Sequence, residues 1–364
     1  MSDKLKKARE TIDGLDQKIQ QLISERARVA QGIREIKAQE NNKSGNDTDH
    51  YRPAREADVL RRAIERNAGP LGDEVVARLM REIMSACLAL ESPLKVSYLG
   101  PEGTYTQAAV YKHFGHAVAA RAAAAIDEIF RDVESGAATY GVVPIENSTE
   151  GVVSSTLDLL ANTPLSICGE VWLPVHHHLL SNHKKIADIK QIYAHAQSFA
   201  QCRKWLDIKL PKAERIAVAS NGLAAQMVKK AKKGAAIAGQ TAAELYSLGI
   251  LASNIEDDPN NTTRFLVIGR QNPEPTGKDM TSLVMSAHKD RAGALFQLME
   301  PFAQATINLT KIESRPSRRA IWDYNFFIDL EGHQNDAKVK PVLDLIRSRA
   351  AMFKILGSYP RAVV

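Results

Sequence analysis

The sequence places its clearest chemistry at Thr262-Thr263-Arg264-Phe265. A polar turn, Asp257-Asp258-Pro259-Asn260-Asn261, leads into it, and Leu266-Val267-Ile268-Gly269 follows. Two acids, a proline and two asparagines cannot occupy a helix or sheet interior. The β-branched and aromatic run after them reads as a buried strand. A hydroxyl and a guanidinium therefore stand where a loop meets a rigid strand, a frequent setting for a reacting group. Taken alone, the same threonines would serve equally well as turn caps.

Partners for that pair lie in loops earlier in the chain. Gly100-Pro101-Glu102-Gly103-Thr104-Tyr105-Thr106-Gln107 follows the strand-like Lys95–Leu99. Tyr140–Ile145 leads to Glu146-Asn147-Ser148-Thr149-Glu150-Gly151, Ile192–Ala194 to His195-Ala196-Gln197-Ser198, and Arg215–Ala219 to Ser220-Asn221-Gly222. A glycine-rich loop entering a helix offers free N–H groups to anions, and open α/β sheets bind ligands beyond the C-terminal ends of their strands. Residues 95–272 thus read as a two-lobed α/β domain with a ligand between the lobes. His176-His177-His178 and His183 invite a metal reading. The alternation Val171, Leu173, Val175 suggests a strand there, which would send the imidazoles to opposite faces. No metal or cofactor is expected.

A different chemistry is suggested by residues 1–94. Leu5, Ala8, Ile12, Leu15, Ile19, Leu22, Val29, Ile33 and Ile36 recur at helical steps, a seam interrupted by Arg26 where an apolar residue is due. A helix from Leu5 to about Lys37 is roughly 50 Å long at 1.5 Å per residue. A domain of this size cannot cover it, so a homo-oligomer, at least a dimer, is expected. An unpaired guanidinium in the seam would cost several kcal/mol, so Arg26 needs an acidic neighbour such as Glu56 or an anionic ligand. Arg9 and Lys37 fall near the same face, so cations are expected to converge on one channel suited to a dicarboxylate. Asn41 to His50 is a polar break, followed by expected helices at Pro53–Asn67 and Asp73–Ala89.

Composition narrows the function classes. Of 364 residues 44% are apolar, ample for two or three cores, and the net charge of +6 is dispersed. Residues 1–94 carry 17 Lys and Arg against 16 Asp and Glu, so there is no basic arm. A nucleic-acid partner is not expected, and a small anionic substrate is. No apolar run reaches membrane-spanning length, and Met1 to Glu10 lacks a signal-peptide core. Cys87, Cys168 and Cys202 are far apart and odd in number. These features fit a cytoplasmic chain with reduced thiols and no membrane partner.

Asn272-Pro273-Glu274-Pro275-Thr276-Gly277 reads as a linker. Beyond it, strands at Ser282–Ala287, Ile307–Glu313, Ile321–Leu330 and Phe353–Ser358 alternate with helices at Ala292–Ala303 and Ala337–Ala350. That βαββαβ order over 278–364 is an α+β, ferredoxin-like arrangement. Gly293 at a helix start would let a carboxylate approach free N–H groups. Glu313-Ser314-Arg315-Pro316 also has the form of a tight turn.

Three family resemblances accompany these patterns. Arg9-Glu10-Thr11-Ile12-Asp13, Glu25-Arg26, Lys37 and Arg52-Pro53-Ala54-Arg55-Glu56 resemble the all-helical chorismate mutases over the whole of 1–94. The resemblance implies that Arg9 and Arg26 hold the carboxylates of chorismate, with Glu56 also in the substrate site. It further implies that Lys37 hydrogen-bonds the ether oxygen and that the site is shared across an intertwined dimer. At the position of Glu91 such mutases often carry glutamine, whose amide donates to that oxygen; a carboxyl must be protonated to do so.

The motifs GPEGTYT, PIENSTEG, HAQS and TTRF resemble prephenate dehydratase, in that family's order, across nearly all of 95–272. This implies a periplasmic-binding-protein-like domain acting on prephenate, with Thr263 catalytic. Thr104, Glu146, Asn147, Ser148, Gln197, Ser220, Arg264 and Phe265 are the implied substrate residues, and Ala196 stands where a proline is common. Gly293-Ala294-Leu295 and Glu313-Ser314-Arg315-Pro316 resemble the phenylalanine-sensing ACT domain of these enzymes, which implies an effector site at Gly293, Ala294, Leu295, Asn308, Glu313, Ser314 and Arg315, with Glu313 on the ammonium. The whole chain resembles the bifunctional chorismate mutase–prephenate dehydratases with phenylalanine feedback. The alternative, a non-catalytic amino-acid sensor, leaves Arg9, Arg26 and Lys37 without a task.

Overall fold

Helix α1 (Asp3–Asn41) carries the apolar seam and runs slightly beyond the expected span at both ends. It belongs to a computed structural model that describes residues 3–41, 51–90, 93–231, 233–288, 292–317 and 324–363, without the side chains of 34, 35 and 37–41. Helix α2 (Pro53–Glu65) opens on a proline, whose missing N–H costs nothing at a first turn. Helix α3 (Asp73–Ala89) opens on two acids that complement its dipole. Ala57, Leu60, Ala63 and Ala77 turn inward, whereas Leu5, Ile12, Leu15, Ile19, Leu22, Val29, Ile33 and Ile36 of α1 lie 44–64% exposed.

Two α/β lobes follow. The first sheet joins β1 (Lys95–Leu99), β2 (Ala119–Ala123), β3 (Tyr140–Asn147), β5 (Ser166–Pro174) and β11 (Thr262–Gly269) in the order β2-β1-β3-β11-β5, with β4 (Gly151–Val152) paired to β3. The second joins β6 (His178–Ser181), β7 (Gln191–Ala194), β8 (Glu214–Ala217), β9 (Ala235–Ala238) and β10 (Gly249–Ala252) in the order β10-β6-β9-β7-β8. The chain crosses between lobes twice, from β5 to β6 and from β10 to β11, so two strand connections form the hinge. Strand β5 ends at Pro174, so the expected strand does not continue through the histidines; His176 and His177 occupy the first crossing.

Strand β11 lies between β3 and β5, antiparallel to both, and is buried on both faces. Phe265 and Val267 join a core with Tyr98, Tyr140 and Val142. Leu266 and Ile268 turn the other way, into a core shared with Met280, Val284, Phe327, Leu356 and Tyr359. The last five residues come from the C-terminal sheet, whose strands β12 (Asp279–Ser286), β13 (Leu309–Pro316), β14 (Tyr324–Glu331) and β15 (Met352–Pro360) run β13-β14-β12-β15. Helices Ala294–Gln304 and Lys340–Arg349 complete the expected βαββαβ order. The alternation of β11 thus aims one set of side chains toward the helical domain's side and the other toward the C-terminal sheet.

Candidate active site

Loops at the strand ends enclose a cleft of about 880 Å³ between the lobes. Five of the expected residues line it, Thr104, Asn147, Gln197, Ser220 and Thr263. Thr104 is the N-cap of helix α4 (Tyr105–Phe114): its hydroxyl accepts from Gln107 N, and the Gln107 side chain accepts from Gly103 N at 2.6 Å. This near capping box holds the loop rigid at the cleft floor. Gly222 permits the lobes to meet there, because a Cβ on it would lie 2.6 Å from Glu102 O.

Thr263 is oriented by Asn147. Asn147 Nδ2 donates to Thr263 Oγ1 at 2.8 Å and to Asn261 Oδ1 at 2.8 Å. Asn147 Oδ1 accepts from Thr149 N, Thr149 Oγ1 and Glu150 N at 2.6–3.1 Å, which fixes the direction of the amide. Thr263 Oγ1 is thereby an acceptor toward Asn147, and its own O–H is left to donate elsewhere.

Four expected substrate residues do not line this cleft. Glu146 turns to the C-terminal sheet and pairs with Lys311 at 2.6 Å. Ser148 clips the start of β11, accepting from Thr262 N at 3.0 Å while its own N–H donates to Thr262 O. Phe265 is core. Arg264, one residue on from Thr263, points to the opposite face, where Nε meets Glu170 at 2.9 Å, Nη1 meets Asp329 at 2.5 Å and Nη2 donates to Tyr359 Oη at 3.0 Å. Burial alone would lower the guanidinium pKa, but Tyr359, Asp329 and Glu170 outweigh it, so the pKa is raised and the charge is held. Arg264 is a fastening between β11 and the C-terminal sheet. A period of two separates it from Thr263, and the sequence motif alone does not show which of the two faces the ligand.

The cleft also contains residues that the sequence did not assign to it. Tyr105, His177, Gln201 and Asn261 all line it. Gln201 lies one helical turn beyond Gln197, which was the available signal. The three histidines have separate tasks at the hinge: His176 Nδ1 meets Glu256 Oε1 at 2.8 Å, His177 N donates to Glu256 Oε2 at 2.8 Å, and His178 Nδ1 accepts from Asn254 N at 3.2 Å.

In the helical domain Arg26 donates to Cys87 Sγ at 3.1 Å and not to Glu56. Glu56 faces Arg81 instead, at 3.6 Å, and burial pushes its carboxyl from 4.5 to about 7 against the pull of Arg81. Arg9 and Arg26 are 17 residues apart on one straight element, about 26 Å at 1.5 Å per residue. On this helix, therefore, the two meet one small dianion only if two copies share the site. The side chain of Lys37, and Glu91 as a whole, lie outside the described residues.

Comparison with known proteins decides between the enzyme and the sensor. Family models match residues 8–92 as chorismate mutase type II, 96–273 as prephenate dehydratase and 281–344 as ACT domain. A bifunctional chorismate mutase/prephenate dehydratase from Pseudomonas aeruginosa is 54% identical over 363 residues, covering 100% of this chain and 99% of that protein. This chain belongs to that bifunctional family. A further member, from Aquifex aeolicus, is 40% identical over 366 residues, with 100% of this chain and 99% of that protein covered. A solved prephenate dehydratase from Arthrobacter aurescens, in complex with L-Phe, is 34% identical with a TM-score of 0.68, covering 74% of this chain and 93% of that one. The chain is an enzyme with two activities, one an isomerase and one a lyase.

Within the ACT domain, Gly293 has the left-handed backbone (φ 76°) that precedes its first helix, next to Ala294. Leu295 and Phe296 are exposed there, 40% and 67%, as is Ile312 at 55% on β13. Asn308 and Ser314 are exposed, and Glu313 is half-buried on β13. Arg315 departs from the expected effector role: it pairs with Asp158 of the dehydratase domain at 3.2 Å and donates to Ser154.

Proposed function

We propose that residues 1–94 convert chorismate to prephenate, that the cleft of residues 95–272 converts prephenate to phenylpyruvate, and that residues 278–364 lower the second activity when phenylalanine binds. The observation that carries the cleft assignment is the Thr263 hydroxyl, held as an acceptor by Asn147 with its proton free to face a ligand. As carbon dioxide leaves prephenate, its electron pair enters the ring and the C–O bond to the departing hydroxyl breaks. That hydroxyl needs a hydrogen-bond donor as charge builds on it, and Thr263 supplies one. Glu146 is not the proton source in this reading, since Lys311 engages its carboxylate.

The mutase step is a rearrangement that needs no nucleophile. Arg9, Arg26 and Lys37 fix the diacid in its reactive shape and offset charge on the ether oxygen. Protonated Glu91 donates to the same oxygen, so the mutase rate falls as pH rises through the Glu91 pKa; Glu91→Gln removes that decline. The exposed seam of α1 supports a homodimer, because burying each of its large apolar side chains is worth about 1.5–3 kcal/mol. Exposed Leu295 and Ile312 support a second contact between ACT domains, with Gly293, Ala294, Asn308, Glu313 and Ser314 near the effector. No helix among the described residues is long and apolar enough to cross a membrane, and the reading is of a cytoplasmic enzyme. Supplying chorismate tests the whole: phenylpyruvate should form, and added phenylalanine should suppress it while prephenate accumulates. Chorismate left unchanged would overturn the reading.

A further inference from the structure

Behind Asn147 the cleft contains a run of hydrogen bonds whose directions are all determined. Asn147 spends both Nδ2 protons, on Thr263 and on Asn261 Oδ1. Asn261 must then present its own Nδ2 to Gln201 Oε1, at 3.2 Å. Gln201 Nε2 points the other way, to Thr149 Oγ1 at 3.1 Å and Glu150 Oε1 at 3.4 Å. Gln201 Oε1 has one further neighbour, His177 Nε2 at 2.8 Å. An amide oxygen only accepts, so His177 must carry its proton on Nε2.

The far side of the His177 ring is held by Tyr105. Tyr105 Oη lies 2.8 Å from His177 Nδ1 and 2.7 Å from His176 O. The single phenol proton serves one of these acceptors at a time. His177 is 1% exposed, and burial lowers its pKa, only partly opposed by Gln201 and Glu256, so the ring is neutral. A neutral ring with its proton on Nε2 accepts the Tyr105 proton at Nδ1. Tyr105 is held in place because its ring packs on Gly239, where a Cβ would lie 2.9 Å from it.

We propose that His177 is a positioning residue of the dehydratase reaction: by donating from Nε2 it holds the Gln201 side chain, and through Asn261 and Asn147 it holds the Thr263 hydroxyl at its place in the cleft. The direction of the Asn147 amide is set by Thr149 N and Glu150 N, and that of Gln201 also by Glu150 Oε1, so both amides keep their sense without His177. What is lost is one of the two donors to Gln201 Oε1, and with it the firmness with which Asn261 and Asn147 place Thr263. His177 stands at the first interlobe crossing and Asn261 at the second, tied by Ile255 N to His177 O and Val175 N to Asn261 O at 2.8 Å each. The run is therefore anchored on both hinge strands.

The inference rests on Thr263 acting as the donor, so Thr263→Ala is measured alongside. Dehydratase kcat and KM are determined for the full chain carrying His177→Phe, His177→Gln or Tyr105→Phe, with the mutase rate of the same chain as the folding control. His177→Phe should lower dehydratase kcat about tenfold, the scale of one lost buried hydrogen bond, with a smaller change in KM. His177→Gln retains an N–H near the Nε2 position and should recover most of the loss. Tyr105→Phe removes only the hydroxyl that holds the far side of the ring and should cost about two- to fivefold in kcat. Equal losses in the Phe and Gln variants, a loss confined to KM, or an unchanged kcat in Tyr105→Phe would overturn the proposal. An active Thr263→Ala would overturn the donor reading itself, a separate outcome.

Discussion

Within one chain the interlobe cleft gathers hydroxyls and amides from loops as distant as Thr104 and Thr263, whereas α1 holds Arg9 and Arg26 about 26 Å apart. The cleft's groups are linked through one another: Asn147 to Thr263, Asn261 to Gln201, Asn221 to Ser198. In the helical domain Arg26 meets Cys87 and Arg81 meets Glu56 at separate points, and the apolar seam of α1 is open to solvent. Two sites on one polypeptide thus differ in what completes them. In the function proposed above, folding of the chain completes the first, and a second copy completes the other.

The largest expected effect separates the two. Thr263→Ala should cut phenylpyruvate formation by about a hundred- to a thousandfold, the scale of one lost donor to developing charge, while prephenate still accumulates from chorismate. A parallel fall in the mutase rate of a folded variant would mean that the sites are not independent. Arg26→Ala should do the reverse, with about a hundredfold loss of mutase activity, roughly 2.7 kcal/mol. Retained mutase activity would leave Arg26 as a partner of Cys87 only.

A smaller effect sharpens the boundary of the helical site. Glu56 binds its proton more tightly in the folded chain, with a pKa of about 7 against 4.5. Below pH 4.5 the carboxyl is protonated in both states and has no effect. As pH rises from 4.5 to about 7 the folded chain must ionise a buried group, so stability falls by at most about 3 kcal/mol and stays lowered above that range. Glu56→Gln should abolish this slope in denaturant titrations and leave the mutase rate near normal. A steep loss of mutase rate instead would return Glu56 to the substrate.

What was legible in the sequence follows the same division. The helices, the two lobes and the βαββαβ module were all readable, because hydrophobic period and turn residues set them locally. Thr263 was readable because a polar turn breaks into an apolar run. Its neighbours were not: Arg264 and Glu146 carry charges that suit a ligand as well as a domain junction, and only the packing of β11 on the C-terminal sheet shows which. His177 read only as a metal candidate and Asn261 only as a turn residue, because their place in the cleft lies in bonds to Gln201, which is 24 residues from one and 60 from the other. For Arg9 and Arg26 the shared helix was readable and the copy that each site draws on was not, since 17 residues of helix separate them by about 26 Å.

The most direct test of the division is a mixing experiment. Arg9→Ala and Arg26→Ala chains, each inactive as a mutase alone, are unfolded together, refolded and assayed for both reactions. If each mutase site takes Arg9 from one copy and Arg26 from the other, half of the randomly paired dimers are mixed and each of these has one intact site. Mutase activity should then return to about a quarter of normal, with dehydratase activity normal throughout. No recovery in mixed dimers would mean that a single chain supplies both arginines, and would contradict the account.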